Sequence, residues 1–299
     1  MSEPTAIFSG GTGRSGTTIV AKLLRCHPQI RASRPLEVRC ITDSAGLLDL
    51  CIGARPNTSA RVRLLATYPP ALMWEFKRRM RGRWWRRTNR LGNASGLHRG
   101  IDDAQRDQLL EELGAKLRDD PLVAGREFVV NLARAQGVVD ELYWIDTSPP
   151  NAANADLLHT LIPDARFVHM VRDGRDTIAS VLQENWGPDD PQTAARWWAE
   201  RITAAHRALA NVPNHLVHTV QLEALVVSDR QAQYEGLLQF LELSDRRRMR
   251  TYFAERMPAE RGRPGAWRER VADPRAVEMA YEAAAEQLVA AGIPTHECP

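Results

Sequence analysis

A glycine-rich turn between two apolar segments constrains the fold of this chain more than any other feature. Residues 11–18 have the sequence Gly-Thr-Gly-Arg-Ser-Gly-Thr-Thr. The preceding residues 5–9 are apolar and partly β-branched, which predicts a buried strand, and residues 17–25 place their apolar side chains at helical spacing. A strand, a glycine-rich turn and a helix in this order can bind a phosphate group through backbone N–H groups and the helix N-terminus.

The turn lacks the lysine of the loops that bind ATP or GTP. Those loops follow the pattern GxxxxGK[ST], and their lysine reaches the β- and γ-phosphates. Gly11 and Gly16 have the required spacing, but Thr17 takes the place of the lysine and is followed by Thr18. We therefore expect a phosphate-binding loop that is poorly equipped for γ-phosphoryl transfer. The residues also fit the dinucleotide pattern G-x-G-x-x-G, with Glu37 at about the distance of its acidic residue, so the loop alone leaves a dinucleotide binder open.

A second charged turn follows another predicted strand. Residues 166–171 predict the strand, Arg172 follows it directly, and Ser180 lies in the helical pattern that comes next. Arginine can bind phosphate oxygens with two parallel hydrogen bonds, and a serine hydroxyl adds a donor. The pair therefore predicts a second phosphate site, whereas a solvated ion-pair turn is the alternative for these charged residues.

Together the two motifs resemble those of the PAPS-dependent sulfotransferases, which move a sulfuryl group from 3′-phosphoadenosine 5′-phosphosulfate (PAPS) and release PAP. Residues 13–18 are similar to that family's 5′-phosphosulfate loop, and residues 172–180 to its 3′-phosphate motif. The N-terminal region resembles that of the tyrosylprotein, carbohydrate-type and bacterial members. Residues 261–268 resemble the late Gly-x-x-Gly-x-Trp loop, which closes over the nucleotide, and residues 220–225 are a weaker match to a Tyr-Glu-x-Leu-like stretch.

The resemblance implies a role for each matching residue. Glu37 corresponds to the acidic catalytic residue, which takes the proton of the acceptor hydroxyl, and it should be partly buried for this task. Arg14 is expected to neutralise the leaving 5′-phosphate, and Arg39 and Ser148 to contact the acceptor. His98 is a reserve candidate for the base. The residues expected to bind the donor are Gly13, Arg14, Ser15, Gly16, Thr17, Thr18, Arg172, Ser180, Arg261, Gly262, Arg263 and Trp267. The last of these either packs on the adenine or anchors its loop.

One departure from the family concerns a second cation. Many members carry a lysine before a [ST]-Pro turn, but Thr147 occupies that position here. Either Arg14 alone carries the charge, or Lys22 or an arginine of the insertion contributes. No metal is expected. The alternatives to a sulfotransferase are a small-molecule kinase, in which Asp146 would have to bind magnesium, and a non-catalytic binding protein rich in arginine and tryptophan.

The coarse layout alternates strands with helices. Predicted strands at 5–9, 142–147, 166–171 and 216–222 alternate with predicted helices at 17–25, 103–118, 126–136, 151–162, 174–184, 192–211, 229–242 and 274–291. This alternation predicts an α/β, P-loop-type, three-layer fold in which helices flank a parallel sheet and ligands bind at the carboxyl ends of the strands. With 299 residues and a hydrophobic fraction of 43%, one sulfotransferase domain over 1–299 is expected, with a variable basic acceptor-side insertion at about 40–100.

The insertion contains a strongly basic run. Residues 77–90 carry eight basic side chains and no acidic one, and tryptophans are interleaved with them. A solvated helix over packed aromatic rings, a lid on the acceptor site, or contact with an anionic or lipid surface would each account for the run. Nucleic acid is not expected as a partner, because no recognised nucleic-acid module accompanies it.

Cysteine usage and hydropathy indicate the compartment. The four cysteines show no C-x-x-C spacing, no apolar run approaches 18 residues, and no leader pattern opens the chain, so we expect a cytoplasmic protein with reduced thiols. The arginine- and alanine-rich composition is typical of a bacterial protein. A hydroxyl of a sugar, a lipid-linked compound or a natural-product metabolite is therefore the expected acceptor, while the sequence gives no rule for the oligomeric state.

Overall fold

The computed structural model describes residues 3–55, 58–88, 92, 94–258 and 264–296. Its five strands are β1 (Thr5–Gly11), β2 (Ile30–Ala32), β3 (Tyr143–Asp146), β4 (Arg166–Val171) and β5 (Val217–Gln221). They form one sheet in the order β2-β3-β1-β4-β5. The paired strands run parallel, and helices flank the sheet, which confirms the predicted fold class.

The helices follow the predicted alternation and add short elements to it. In chain order they are α1 (Thr17–Leu24), α2 (Arg39–Thr42), α3 (Leu47–Cys51), α4 (Ala60–Ala66), α5 (Pro69–Arg81), α6 (Asp103–Lys116), α7 (Pro121–Ala135), α8 (Ala155–Leu161), α9 (Gly174–Val181), α10 (Pro191–Leu209), α11 (Arg230–Phe240), α12 (Arg247–Arg256), α13 (Trp267–Arg270) and α14 (Pro274–Ala290). The predicted helices are confirmed, with ends that differ by a few residues. The largest difference is at α7, which begins at Pro121 because Asp120 caps its first N–H groups. The sequence analysis did not predict β2, α2 to α5, α12 or α13.

Two compact units make up the chain, and the first comprises Met1–Phe8, Pro28–Ser148 and Asp156–Ala165. Within it, β3 pairs with β1 from Thr5 opposite Tyr143 to Phe8 opposite Asp146. An aromatic cluster forms part of its core: the ring of Phe76 meets Trp84 at 5.6 Å and Phe128 at 5.8 Å between centroids, both edge to face. All three rings are buried. Their burial holds α5 and α7 together.

The second unit comprises Ser9–His27, Pro149–Ala155 and Arg166–Pro299. In it, β4 and β5 pair from Phe167 opposite Val217 to Val171 opposite Gln221. Helices α9, α10 and α14 share an apolar core in which the Trp198 and Tyr281 rings lie 5.2 Å apart. This core fixes α9, the helix that follows the charged turn at Arg172.

Candidate active site

The backbone of the glycine-rich turn adopts conformations that favour glycine. Gly13 and Gly16 have φ values of 82° and 97°, and Arg14 between them has a φ of 62°. A Cβ on Gly11 would lie 2.4 Å from the Met170 carbonyl oxygen, so no side chain fits there. Successive residues of this kind form backbone concavities that bind anions. The sequence thus builds a phosphate cradle at the end of β1.

Helix α1 begins at Thr17, directly after this turn. Its first turn has no acidic residue, and the leading N–H groups of a helix have no intrahelical acceptor. Ser15 is fully buried, and its Oγ makes no hydrogen bond to any described residue. Thr17 is buried and Thr18 is exposed. An unpartnered buried hydroxyl beside a helix N-terminus fits a phosphate group.

Arg14 links the turn to the second predicted phosphate motif. Its Nε donates a hydrogen bond of 3.0 Å to Ser180 Oγ, and its carbonyl oxygen accepts one of 3.0 Å from Arg172. Its guanidinium also forms an ion pair of 3.4 Å with Glu184, a side chain that the sequence analysis did not single out. The structure therefore brings Arg14 into direct contact with both Arg172 and Ser180, which are distant from it in sequence.

Arg172 lies in a buried, charged setting. Its side chain is 10% exposed and lies 3.8 Å from carboxylate oxygens of both Asp176 and Glu223. Burial lowers the pKa of the Arg172 guanidinium, against the raising effect of the two carboxylates. Its Nε makes no hydrogen bond within the part of the chain that the structure describes. The guanidinium thus keeps a donor for an oxyanion.

Glu223 supports the charged turn from the end of β5. Its Oε1 accepts a hydrogen bond of 3.1 Å from the backbone N–H of Asp173, and burial raises the pKa of its carboxyl group. The weak family match at 220–225 was the available signal for this residue. Glu223 follows β5, and β5 pairs with β4, the strand that ends just before Arg172. The two side chains therefore meet at the same edge of the sheet.

Asp176 holds the described part of the late loop. The carboxylate is fully buried and accepts hydrogen bonds of 2.9 Å from both Gly265 N and Trp267 N. The Trp267 ring is buried in the core of the second unit, and the Arg268 guanidinium lies over it at 4.4 Å. This packing favours the anchoring role for Trp267 over contact with an adenine. The expected donor-binding residues Arg261, Gly262 and Arg263 lie outside the described residues.

Glu37 sits on a segment of the first unit that is tied to the end of β3. The carbonyl oxygen of Leu36 accepts hydrogen bonds of 2.9 Å from both the N–H and the hydroxyl of Thr147, and Val38 N donates one of 2.8 Å to Asp146. Both neighbours of Glu37 are therefore held. The side chain that replaces the expected lysine has become a clamp on this segment.

The Glu37 carboxylate itself is partly buried and paired. Its side chain is 38% exposed and lies 3.4 Å from the Arg39 guanidinium. Glu37 and Arg39 line one surface depression together with Trp84 and Arg87. The predicted base, Glu37, and a predicted acceptor contact, Arg39, therefore line the same depression.

Ser148, a predicted acceptor contact, is bonded to a neighbouring carboxylate. Its side chain is buried, and both its N–H and its hydroxyl donate to Asp146 Oδ1, at 3.3 and 3.0 Å. The Oδ1 atom of Asp146, whose side chain is fully buried, also accepts a hydrogen bond from Val38 N. His98, the reserve base, has its Nδ1 2.6 Å from the Trp85 carbonyl oxygen.

Four of the eight basic side chains of the run form ion pairs within the first unit. The ion pairs join Arg78 and Arg79 to Glu75, Arg81 to Asp107, and Arg83 to Asp43. The hydrogen bonds from the two arginines hold the pKa of Glu75 at about 2, and the Glu75 side chain is only 1% exposed. Trp84 and Trp85 are buried beneath the run. The packed-helix interpretation accounts for these residues.

Across the described ranges, no group of three or more histidine, cysteine, aspartate or glutamate side chains could hold a metal ion. None of the helices in the part of the chain that the structure describes combines the length and the hydropathy needed to cross a membrane.

Comparisons with known proteins give a consistent result. The family model described as Sulfotransferase family matches residues 4–247. Among solved structures, the sulfotransferase STF9 from Mycobacterium avium is 16% identical, with a TM-score of 0.55 over 100% of this chain and 79% of that chain. The sulfotransferase domain of the Synechococcus PCC 7002 olefin synthase is also 16% identical, with a TM-score of 0.53 over 100% and 98%. The sulfotransferase domain from the curacin biosynthetic pathway is 17% identical, with a TM-score of 0.54 over 96% and 98%. No curated protein matched the chain by sequence.

Proposed function

The chain belongs to the sulfotransferase family, and on that premise we propose that it transfers a sulfuryl group from PAPS to a hydroxyl of a small-molecule acceptor. The observation that carries the proposal is the contact of Arg14 with both Ser180 and Arg172, which unites the two phosphate motifs. Two phosphate sites in contact suit a nucleotide that carries both a 5′- and a 3′-phosphate. A sugar, lipid-linked or natural-product metabolite remains the predicted acceptor, and the cytoplasm the predicted compartment.

The donor side has the groups that PAPS requires. The N–H groups of the turn and of α1, with Ser15 Oγ, bind the 5′-phosphate, and Arg14 neutralises the charge that develops on it. Arg172 and Ser180 bind the 3′-phosphate, because a guanidinium whose Nε makes no hydrogen bond to a described residue and a serine hydroxyl match its oxygens. PAPS supplies the sulfuryl group and the phosphate leaving group when it is bound.

The acceptor side depends on Glu37. Its carboxylate accepts the proton of the acceptor hydroxyl while the hydroxyl oxygen attacks the sulfur atom and the bond from sulfur to the 5′-phosphate breaks. Asp146 and Thr147 act as positioning residues, since they hold the backbone on either side of Glu37. No metal takes part in this proposal.

Calorimetry tests the donor side of the proposal. We expect PAP to bind whether or not magnesium is present, and ADP with magnesium to bind much more weakly, because the turn has no lysine for a γ-phosphate. If ADP binds more tightly than PAP and requires magnesium, the kinase alternative replaces the proposal. If neither nucleotide binds, both enzymatic functions fail.

Glu37→Gln tests the catalytic assignment. The amide cannot accept the proton, so turnover should fall at least about 100-fold. PAP affinity should stay unchanged, because Glu37 has no role on the donor side. Turnover with radiolabelled PAPS and PAP calorimetry give the two readouts, and turnover within a few-fold of the wild type would remove Glu37 as the base.

A further inference from the structure

The depression beside Glu37 has an unequal charge balance. Three arginines of the first unit, Arg39, Arg83 and Arg87, lie near two carboxylates, those of Glu37 and Asp43. Arg39 reaches Glu37 at 3.4 Å and Asp43 at 4.0 Å, and Arg83 takes the other Asp43 oxygen at 3.2 Å. Two guanidinium groups therefore already share the two carboxylates, and one positive charge is left over.

Arg87 carries the remaining charge. Its guanidinium is half-buried and makes no hydrogen bond or ion pair with any residue that the structure describes. Burial and the positive charges of Arg39 and Arg83 lower the pKa of Arg87, against the raising effect of the Asp43 and Glu37 carboxylates. A half-buried cation that no described carboxylate contacts directly is stabilised when a ligand of opposite charge joins it. Because Arg87 lines the depression, that ligand would bind beside Glu37.

We propose that the acceptor carries an oxyanion, a carboxylate or a phosphate, which Arg87 and Arg39 bind while the acceptor hydroxyl faces Glu37. The proposal rests on the proposed function and names the substrate class of the same site. The planar guanidinium of arginine matches these oxyanions with two parallel hydrogen bonds. The buried indole of Trp84, whose Nε1 donates to Asp43 at 3.1 Å, forms an apolar wall that reduces screening by water.

The same binding event would prepare the base. Arg39 donates a hydrogen bond of 3.4 Å to Glu37 Oε2. An oxyanion that takes over the donors of Arg39 frees this carboxylate oxygen for the proton of the hydroxyl. Acceptors with the anionic group are therefore favoured both in binding and in proton transfer.

Calorimetry with saturating PAP, which fills the donor-phosphate sites, measures anion binding at the depression. The probes are matched pairs: 4-hydroxyphenylacetate against its amide, and glucose 6-phosphate against glucose. In at least one pair we expect the anionic member to bind about tenfold more tightly to the wild type, as a charge-assisted hydrogen bond predicts. The preference should fall to about twofold or less in Arg87→Gln.

Arg86→Gln is the matched control, because Arg86 is the exposed neighbour of Arg87 in sequence. It should keep the preference of the wild type. Arg87→Lys, which keeps the charge but loses the planar fork, should give an intermediate preference. The proposal is overturned if no anionic member binds more tightly in either pair, or if Arg87→Gln leaves the preference unchanged while its melting temperature matches that of the wild type.

Different results would contradict the oxyanion proposal and the proposed function. Tight PAP binding without any preference for the anionic members would remove the oxyanion and leave the sulfotransferase. If PAP does not bind, the same titrations without PAP still report on Arg87, because Arg87→Gln and Arg86→Gln separate the depression from every other anion site. With radiolabelled PAPS, the better-bound member of a pair should also be the better acceptor.

Discussion

Thr147 departs from the family pattern and has a structural role of its own. The position at which a lysine was expected holds a side chain whose hydroxyl bonds to the Leu36 carbonyl oxygen and fixes the segment that bears Glu37. At this position the chain therefore has a hydroxyl that fixes the backbone in place of the expected cation. Arg14 stays the predicted cation of the glycine-rich turn, with Lys22 and an arginine of the insertion as the alternatives.

Thr147→Val tests this clamp. The change keeps the shape of the side chain but removes one hydrogen bond, so it should lower the free energy of unfolding by about 1 kcal/mol. Since Leu36 becomes less well held, turnover should fall about fivefold to tenfold while PAP affinity stays constant. Thr160→Val, which removes an exposed hydroxyl bonded to Asp156 within α8, is the control. Unchanged turnover in Thr147→Val would reduce the clamp to a packing contact.

Glu75 governs the acid stability of the first unit. The hydrogen bonds from Arg78 and Arg79 hold its pKa at about 2, below the ordinary value of 4.5. Because the folded pKa is depressed, the stabilisation is fully present above pH 4.5 and is lost as the pH falls toward 2. Glu75→Gln should therefore cost about 3 kcal/mol at neutral pH, and less as the pH falls. Urea denaturation of both proteins between pH 7 and about pH 3 measures the difference; a difference that does not change with pH would contradict this account.

At the scale of elements, one carboxylate connects α9 with α13. Asp176 belongs to the helix that carries Ser180, and it binds the backbone at both Gly265 and Trp267. The described part of the late loop is therefore fixed to the same helix that carries Ser180. Both segments resemble the family in sequence, but the contact between them was not predicted. A hydrogen bond from a side chain to a distant backbone leaves no periodic signal in the sequence.

Asp176→Asn tests this connection. The amide can accept one of the two backbone hydrogen bonds but presents an N–H to the other, so the loop should lose about 1–1.5 kcal/mol of support. We expect PAP affinity to fall about tenfold and the amide protons of α13 to exchange faster. Asp190→Asn changes an exposed helix cap in the same unit and should alter neither readout. Slow exchange in α13 together with weakened PAP binding would mean that Asp176 acts only through Arg172.

The elements that were predicted from the sequence are longer and more regular in pattern than most of those that were missed. Helices α6, α10 and α14 are long enough for an apolar face to repeat, and β4 is a continuous apolar run. By contrast, α2 and α3 have four and five residues, so no period can be recognised in them. Helix α5 has a clear apolar face, but the basic side chains at its end left a packed helix, an acceptor-site lid and surface binding open as alternatives. Glu75, three and four residues before the arginines that it pairs with, was the signal for compensation.

At the scale of the whole molecule, the alternation of strands and helices was sufficient to predict the class of fold. Connections between parallel strands need helices, so the order of elements restricts the possible topologies. The order of strands and helices does not predict the depression beside Glu37. Its walls come from Trp84 and Arg87, which follow the aromatic core around Phe76 rather than any motif.

Ligand binding should raise the stability of the folded chain. If PAP binds only the folded state, a concentration of about one hundred times its Kd adds about 2.7 kcal/mol to the free energy of unfolding. Thermal melts with and without PAP measure this, and Arg172→Ala should remove most of the shift because it deletes a phosphate contact. Hydrogen exchange should show the protection by PAP in the glycine-rich turn and around Arg172. A full shift in Arg172→Ala would contradict the role of this residue.

Arg14 takes part in both phosphate motifs, through its side chain at Ser180 and through its carbonyl oxygen at Arg172. If PAPS binds as proposed, the two contacts of Arg14 should couple the two phosphate sites. Adenosine 5′-phosphosulfate, which has no 3′-phosphate, would leave Ser180 and Arg172 bonded to Arg14 and would gain nothing from either. We therefore expect the discrimination between the two donors to depend on Arg14 as well as on Arg172 and Ser180, so that a single residue in a left-handed conformation would select the donor as well as hold its phosphate.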